Sequence, residues 1–144
     1  WGPNLAVTRQ TAENPDDHVM MDVALALEPE SAAMRQGDDN WVDILNWMFA
    51  VTWIAEANGI NSANVDEHKA NPVGSTVEKL LGVTPGIGER LGLSDDWAYN
   101  VNKQVGNSAE IFSRNIGEES VYNLDRGLNA LWSEGGVIVP MILD

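Results

Sequence analysis

The stretch from Asp38 to Asn58 does most to limit what this chain can become. Gly37-Asp38 supplies a turn and an N-cap, and Asp38 and Asp39 put negative charge where a helix start favours it. Trp41, Leu45, Met48, Thr52 and Ala55 then form one stripe at helical spacing, and Ile44, Trp47, Val51 and Ile54 form a second beside it. Asn58-Gly59 ends the run. An apolar arc this broad needs cover on two flanks, as inside a multi-helix layer. Trp41, Trp47, Met48, Val51 and Ile54 are therefore the candidate packing or interface residues. Trp41, Trp47 and Trp53 belong to a core more readily than to an aromatic ligand platform.

Around this helix the chain divides into a loop and strand region over 1–35 and a helical region over 36–144, together one compact segment. Trp1 to Asp17 is polar, with at most a short helix around Leu5–Thr11. His18 to Leu27 is the best strand region, because Val19-Met20-Met21 is followed by alternating Val23, Leu25 and Leu27. Glu28-Pro29 breaks it, and Ser31 to Arg35 fits a further short strand or a turn of helix. Past Gly59 the spacing predicts helices over Asn64–Lys69, Ser75–Leu81, Asp95–Val105 with Ser94 as cap, Ala109–Arg114 and Asp125–Trp132. Ser133 to Gly136 is a stop, and Val137 to Leu143 a last extended piece. The expected class is mainly α with a few short N-terminal strands.

Composition removes several function classes. The 22 acidic and 8 basic residues leave a formal charge of −14, and the acids are spread along the whole chain. Such a field repels phosphate backbones and anionic lipids. Without cysteine there is no disulfide framework, thiolate chemistry or cysteine-bound metal. No apolar run is long enough to span a bilayer, so direct membrane insertion is not expected, and the first residues lack a signal-peptide pattern. His18 and His68 sit in no metal-ligand spacing, and the pairs Asp38-Asp39, Asp95-Asp96 and Glu118-Glu119 are adjacent and so do not share a helix face. The serines show no nucleophile elbow. Neither a catalytic set, a metal site nor a cofactor is expected, and the chain does not read as an enzyme. One local motif stays open: Pro85-Gly86-Ile87-Gly88 has the form of a helix-hairpin-helix turn, whose amides at Gly86 and Gly88 would meet a DNA phosphate. Glu89 and the overall charge oppose that reading.

Several strings, in order, carry a resemblance. They include Met34-Arg35-Gln36-Gly37-Asp38-Asp39-Asn40-Trp41, Ala55-Glu56-Ala57-Asn58-Gly59-Ile60, Asp96-Trp97-Ala98-Tyr99 and Lys103-Gln104-Val105-Gly106-Asn107. Glu110-Ile111-Phe112, Arg114-Asn115-Ile116-Gly117 and Arg126-Gly127-Leu128-Asn129-Ala130-Leu131-Trp132 complete the set. Together they resemble the C-terminal portion of the general (polar) L-amino-acid-binding proteins of bacterial ABC importers, periplasmic proteins of the two-lobed type II α/β fold.

The resemblance implies a parent-like role in which an amino acid is trapped between two lobes and passed to an ABC permease in the periplasm. It also implies that 18–35 corresponds to strands crossing between lobes. In that family the arginine that clamps the substrate carboxylate, and the acid that receives its ammonium, lie before the matched stretch. Asp16 and Asp17 lie too far into the following loop for the acid's role. Three positions depart from the pattern: Ser108 and Ser113 stand in place of an aromatic and a charged residue, and Val139 where an aromatic is usual. The expectation is that this chain alone binds amino acids weakly or not at all. Alternatives are a self-associating helical interaction module, most simply a homodimer, and the helix-hairpin-helix reading.

Overall fold

The computed structural model describes residues 2–143 apart from Asp22, Ala24, Leu27 and Glu28. Seven α-helices occur among the described residues: α1 (Gly2–Gln10), α2 (Asp39–Ala57), α3 (Val65–Ala70), α4 (Ser75–Leu80), α5 (Ile87–Leu91), α6 (Trp97–Gln104) and α7 (Ser108–Asn115). The long helix α2 is the axis on which α4, α5, α6 and α7 pack, and α3 lies across α4 and α6.

The start of α2 follows from its sequence. The Asp38 carboxylate accepts a hydrogen bond from the Trp41 amide at 3.1 Å, satisfying one of the free donors of the first turn. At 100° per residue the apolar side chains of α2 larger than alanine sweep about 260° of its circumference, which is why no single partner can cover it. The Val51 and Ile54 side fills the core with Ile60, Val65, Val77, Leu80, Leu81, Leu91 and Trp97, and Ile44 and Trp47 pack against its edge. Leu143, near the other end of the chain, also belongs to this core.

Three expectations need correction. The strand proposed over 18–27 is absent among the described residues, as is any element over Ser31–Arg35. Asp22, Ala24 and Leu27 fall outside the described set; Val19 and Leu25 are 87% and 94% exposed. No neighbouring strand stands beside this segment among the described residues, and an unpaired strand has no ladder to hold it. The helix proposed over Asp125–Trp132 is replaced by two 3-10 turns, Gly127–Asn129 and Trp132–Glu134. Gly127 adopts φ +49°, outside the helical region, and the amide of Ile138 bonds the Ala130 carbonyl at 3.2 Å while that of Trp132 bonds Ile138 at 2.9 Å. These bonds make a single parallel bridge, Leu131 to Ile138. The last helix correction is smaller. Helix α6 begins at Trp97 with Asp96 as N-cap, not at Asp95 with Ser94.

Candidate functional site

Two concave surfaces flank α7, and one of them runs along α2. Met48, Phe49, Thr52 and Trp53 are spaced so that they share one face of α2. Opposite them, Val101 of α6, Val105 just past its end, and Ile111, Phe112 and Ile116 of the α7 region complete an apolar groove of about 620 Å³. The rings of Phe49 and Trp53 stack along its wall, with centroids 6.4 Å apart. Helix α7 is fixed by a reciprocal capping box. The Asn107 side chain accepts from the Glu110 amide at 3.0 Å, and the Glu110 carboxylate accepts from the Asn107 amide at 2.8 Å. Glu110 also takes the Ser62 amide and hydroxyl, and the Asn107 side chain donates to Ile60 at 2.7 Å. The capping box thus ties α7 to the loop after α2.

The groove ends in a charged node. Arg126 makes a two-pronged ion pair with Glu56: Nη1 donates to Oε1, and Nη2 donates to Oε2 at 3.1 Å. Nη2 also donates to the Asn129 carbonyl at 2.9 Å, the Ser108 hydroxyl donates to Glu56 Oε2, and the guanidinium lies 5.9 Å from the Phe112 ring centre. Side-chain exposure is 7% for Glu56 and 20% for Arg126. A fork-to-carboxylate pair in this setting cancels both charges locally and leaves neither free for a ligand. Within this node, Arg126 Nε is buried without a partner. Nothing in the local sequence announces this pair, whose members are 70 positions apart. The available signal is Glu56 itself, a carboxylate that continues the Met48–Thr52 face and so needs a cation.

On the other side of α7 a cavity of about 430 Å³ is lined by Glu110, Ser113, Glu118, Glu119, Asp125 and Arg126 among others. Ser113 lines this cavity, and its Oγ is buried without a hydrogen-bond partner. The three positions at which the resemblance implies other residues differ in their surroundings. Ser108 donates to Glu56, the Ser113 hydroxyl has no partner, and Val139 is exposed.

A second polar cluster joins α3 to α6. Asp66 accepts from Lys103 at 2.7 Å and from the Tyr99 hydroxyl at 2.8 Å, and Lys69 pairs with Asp96 at 2.5 Å while standing 3.9 Å over the Tyr99 ring. The hydrogen bonds from Lys103 and then Tyr99 hold the Asp66 carboxyl below its ordinary range. In return Asp66 raises Tyr99 and Lys103 above theirs. These groups are spent on one another and form a clamp.

The five residues singled out on α2 separate. Val51 and Ile54 are core, Trp47 packs on its edge, Met48 lines the groove and Trp41 is 48% exposed. Gly86 and Gly88 both serve α5. The Gly86 amide donates to the Asp95 carboxylate at 2.9 Å, so an internal anion holds the donor that a phosphate would need. Gly88 is buried, and a side chain there would collide with the Ser94 carbonyl. Asp16, in an exposed turn, pairs with Arg9 at 3.7 Å.

Comparison with known proteins places these features in a larger frame. No protein-family model matches the chain. It is 47% identical over 131 residues to the general L-amino acid-binding periplasmic protein AapJ of Rhizobium johnstonii, covering 90% of this chain and 38% of that protein. It is 42% identical over 133 residues to the putative amino-acid ABC transporter-binding protein YhdW of Escherichia coli, covering 92% of this chain and 39% of that one. A solved periplasmic binding protein of an ABC transporter from Brucella ovis, with glutathione bound, superposes with a TM-score of 0.88 at 40% identity, over 96% of this chain and 43% of its own. The chain spans about two fifths of the length of the curated relatives it matches. It is related to the amino-acid-binding periplasmic proteins and corresponds to a C-terminal portion of their length.

Proposed function

We propose that this chain is the C-terminal portion of a periplasmic solute-binding component of an ABC amino-acid importer, a carrier that delivers its ligand to a permease and catalyses nothing. The observation that carries this reading is the 47% identity with a general L-amino acid-binding protein, sustained over 90% of the chain. The resemblance also supports 18–35 as the crossing segment and 36–144 as a helical unit within one compact segment.

By itself the chain binds amino acids weakly or not at all. An amino acid needs a cation for its carboxylate and an acid for its ammonium, facing each other across a closing cleft. Among the described residues, Arg126 is the one cation lining either cavity, and Glu56 already neutralises it. Lys69, Lys103 and Arg9 are likewise paired. Calorimetry of the isolated chain with glutamate, glutamine, aspartate and leucine tests this. Micromolar binding would overturn it.

A second reading, self-association into a homodimer, rests on the apolar surface left open: the groove beside Met48 and Phe49, and the exposed Val19, Met21, Val23 and Leu25.

A further inference from the structure

Of the fourteen asparagines, Asn58 alone is followed by glycine. We infer that Asn58-Gly59 is a self-modification site, gated by the turn that closes α2. Asparagine before glycine is prone to cyclise because no side chain hinders the glycine nitrogen as it approaches. In that step the Gly59 backbone nitrogen attacks Asn58 Cγ and loses its proton, ammonia leaves, and a five-membered succinimide forms. Solvent water then opens the ring at either carbonyl, giving aspartate or isoaspartate. No enzyme, oxidant or cofactor is needed.

Both residues are exposed, yet both reacting groups are occupied. The Gly59 amide donates to the Glu56 carbonyl at 2.9 Å and the Ile60 amide to the Ala55 carbonyl at 2.9 Å, the bond pair of a Schellman turn with Gly59 at φ +67°. The Asn58 side-chain amide donates to the Ile54 carbonyl at 2.8 Å. Ile60 is fully buried, and the Asn64 side chain bonds the Gly59 carbonyl at 2.9 Å, holding the turn from below. Cyclisation therefore requires the last turn of α2 to open, and its rate reports that opening.

The products weaken what protected the site. Aspartate places negative charge at a helix C-terminus, where the dipole disfavours it. Isoaspartate adds a methylene to the backbone ahead of Gly59 and shifts Ile60 out of register with the core. A molecule that has reacted once closes less well.

The test keeps the full 144-residue chain in mildly alkaline buffer, with and without urea, and follows it by peptide mapping in a mass spectrometer. The amide-to-acid mass gain should concentrate in the peptide holding Asn58, with isoaspartate present, and should vanish there in Asn58→Gln. Reaction should be at least about tenfold faster in urea, where the turn is open. Equal rates in buffer and urea would overturn the gating. An Asn58 that stays intact in urea, or reacts no faster than Asn61-Ser62 and Asn107-Ser108, would overturn the site.

Discussion

Arg126 is held by Glu56, by the Asn129 carbonyl and against the face of Phe112, so its removal does more than delete a surface charge. Arg126→Ala would strand the Glu56 carboxylate in a largely dry position. We expect a loss of about 3 kcal/mol in urea unfolding, since breaking one side of a buried pair costs more than the pair contributes. Glu56→Gln combined with Arg126→Met should recover much of it. If Arg126→Ala unfolds like the parent, the node carries no structural weight. Gly88 separates two readings of one motif. Because a Cβ there meets the Ser94 backbone, Gly88→Ala should cost about 1–3 kcal/mol by overpacking. The hairpin reading predicts unchanged stability and a loss of DNA affinity in a gel shift. At this scale the sequence revealed the glycines, while Glu56 stood out only as part of a string shared with the family. It could not reveal the partner of Glu56, because nothing local encodes a contact 70 residues away.

Helix α2 shows where pattern reading succeeds and where it stops. Its N-cap, its extent and its two apolar flanks were legible because capping and periodicity are local properties. Which flank is buried was not legible, since that depends on where α4 to α7 return. The difference is measurable. Ile54→Ala should cost about 3 kcal/mol in unfolding free energy, whereas Trp41→Ala, half exposed, should cost less than about 1. Equal losses would mean that both flanks are covered in solution. The segments over 18–27 and 125–132 misled for a common reason, namely that a local pattern forms an element only when tertiary partners accept it. The α3–α6 clamp adds a pH dependence. Asp66 is held below its ordinary 3.8, so its contribution is present above that value and is lost as pH falls through the lower folded value. Tyr99 and Lys103 are raised, so theirs is complete below their ordinary 10.0 and 10.5 and is lost as pH rises through the folded values. Thermal unfolding of the unsubstituted chain should show an acid-side step that Asp66→Asn lacks; a step of the same size in both would rule out the clamp as its source.

For the whole molecule, two forces oppose each other at the open apolar surface. Covering large apolar side chains is worth about 1.5–3 kcal/mol each, which favours association. The charge of −14 per chain repels a second copy, and salt screens this repulsion over about 8 Å at physiological strength. Sedimentation equilibrium should therefore show dimers that strengthen with added salt. A strictly monomeric chain at both low and high salt would show that its own helices suffice. The family relation was legible because many short strings recur in order. The proposal that the chain lacks both ligand anchors rests on which strings are present. The most direct test joins the two: a chimaera of AapJ in which this chain replaces the matched 131 residues, titrated with L-amino acids by calorimetry. The chimaera should bind amino acids where the isolated chain does not. A chimaera that folds cooperatively yet binds none of them would contradict the assignment of this chain as the C-terminal portion of an amino-acid carrier.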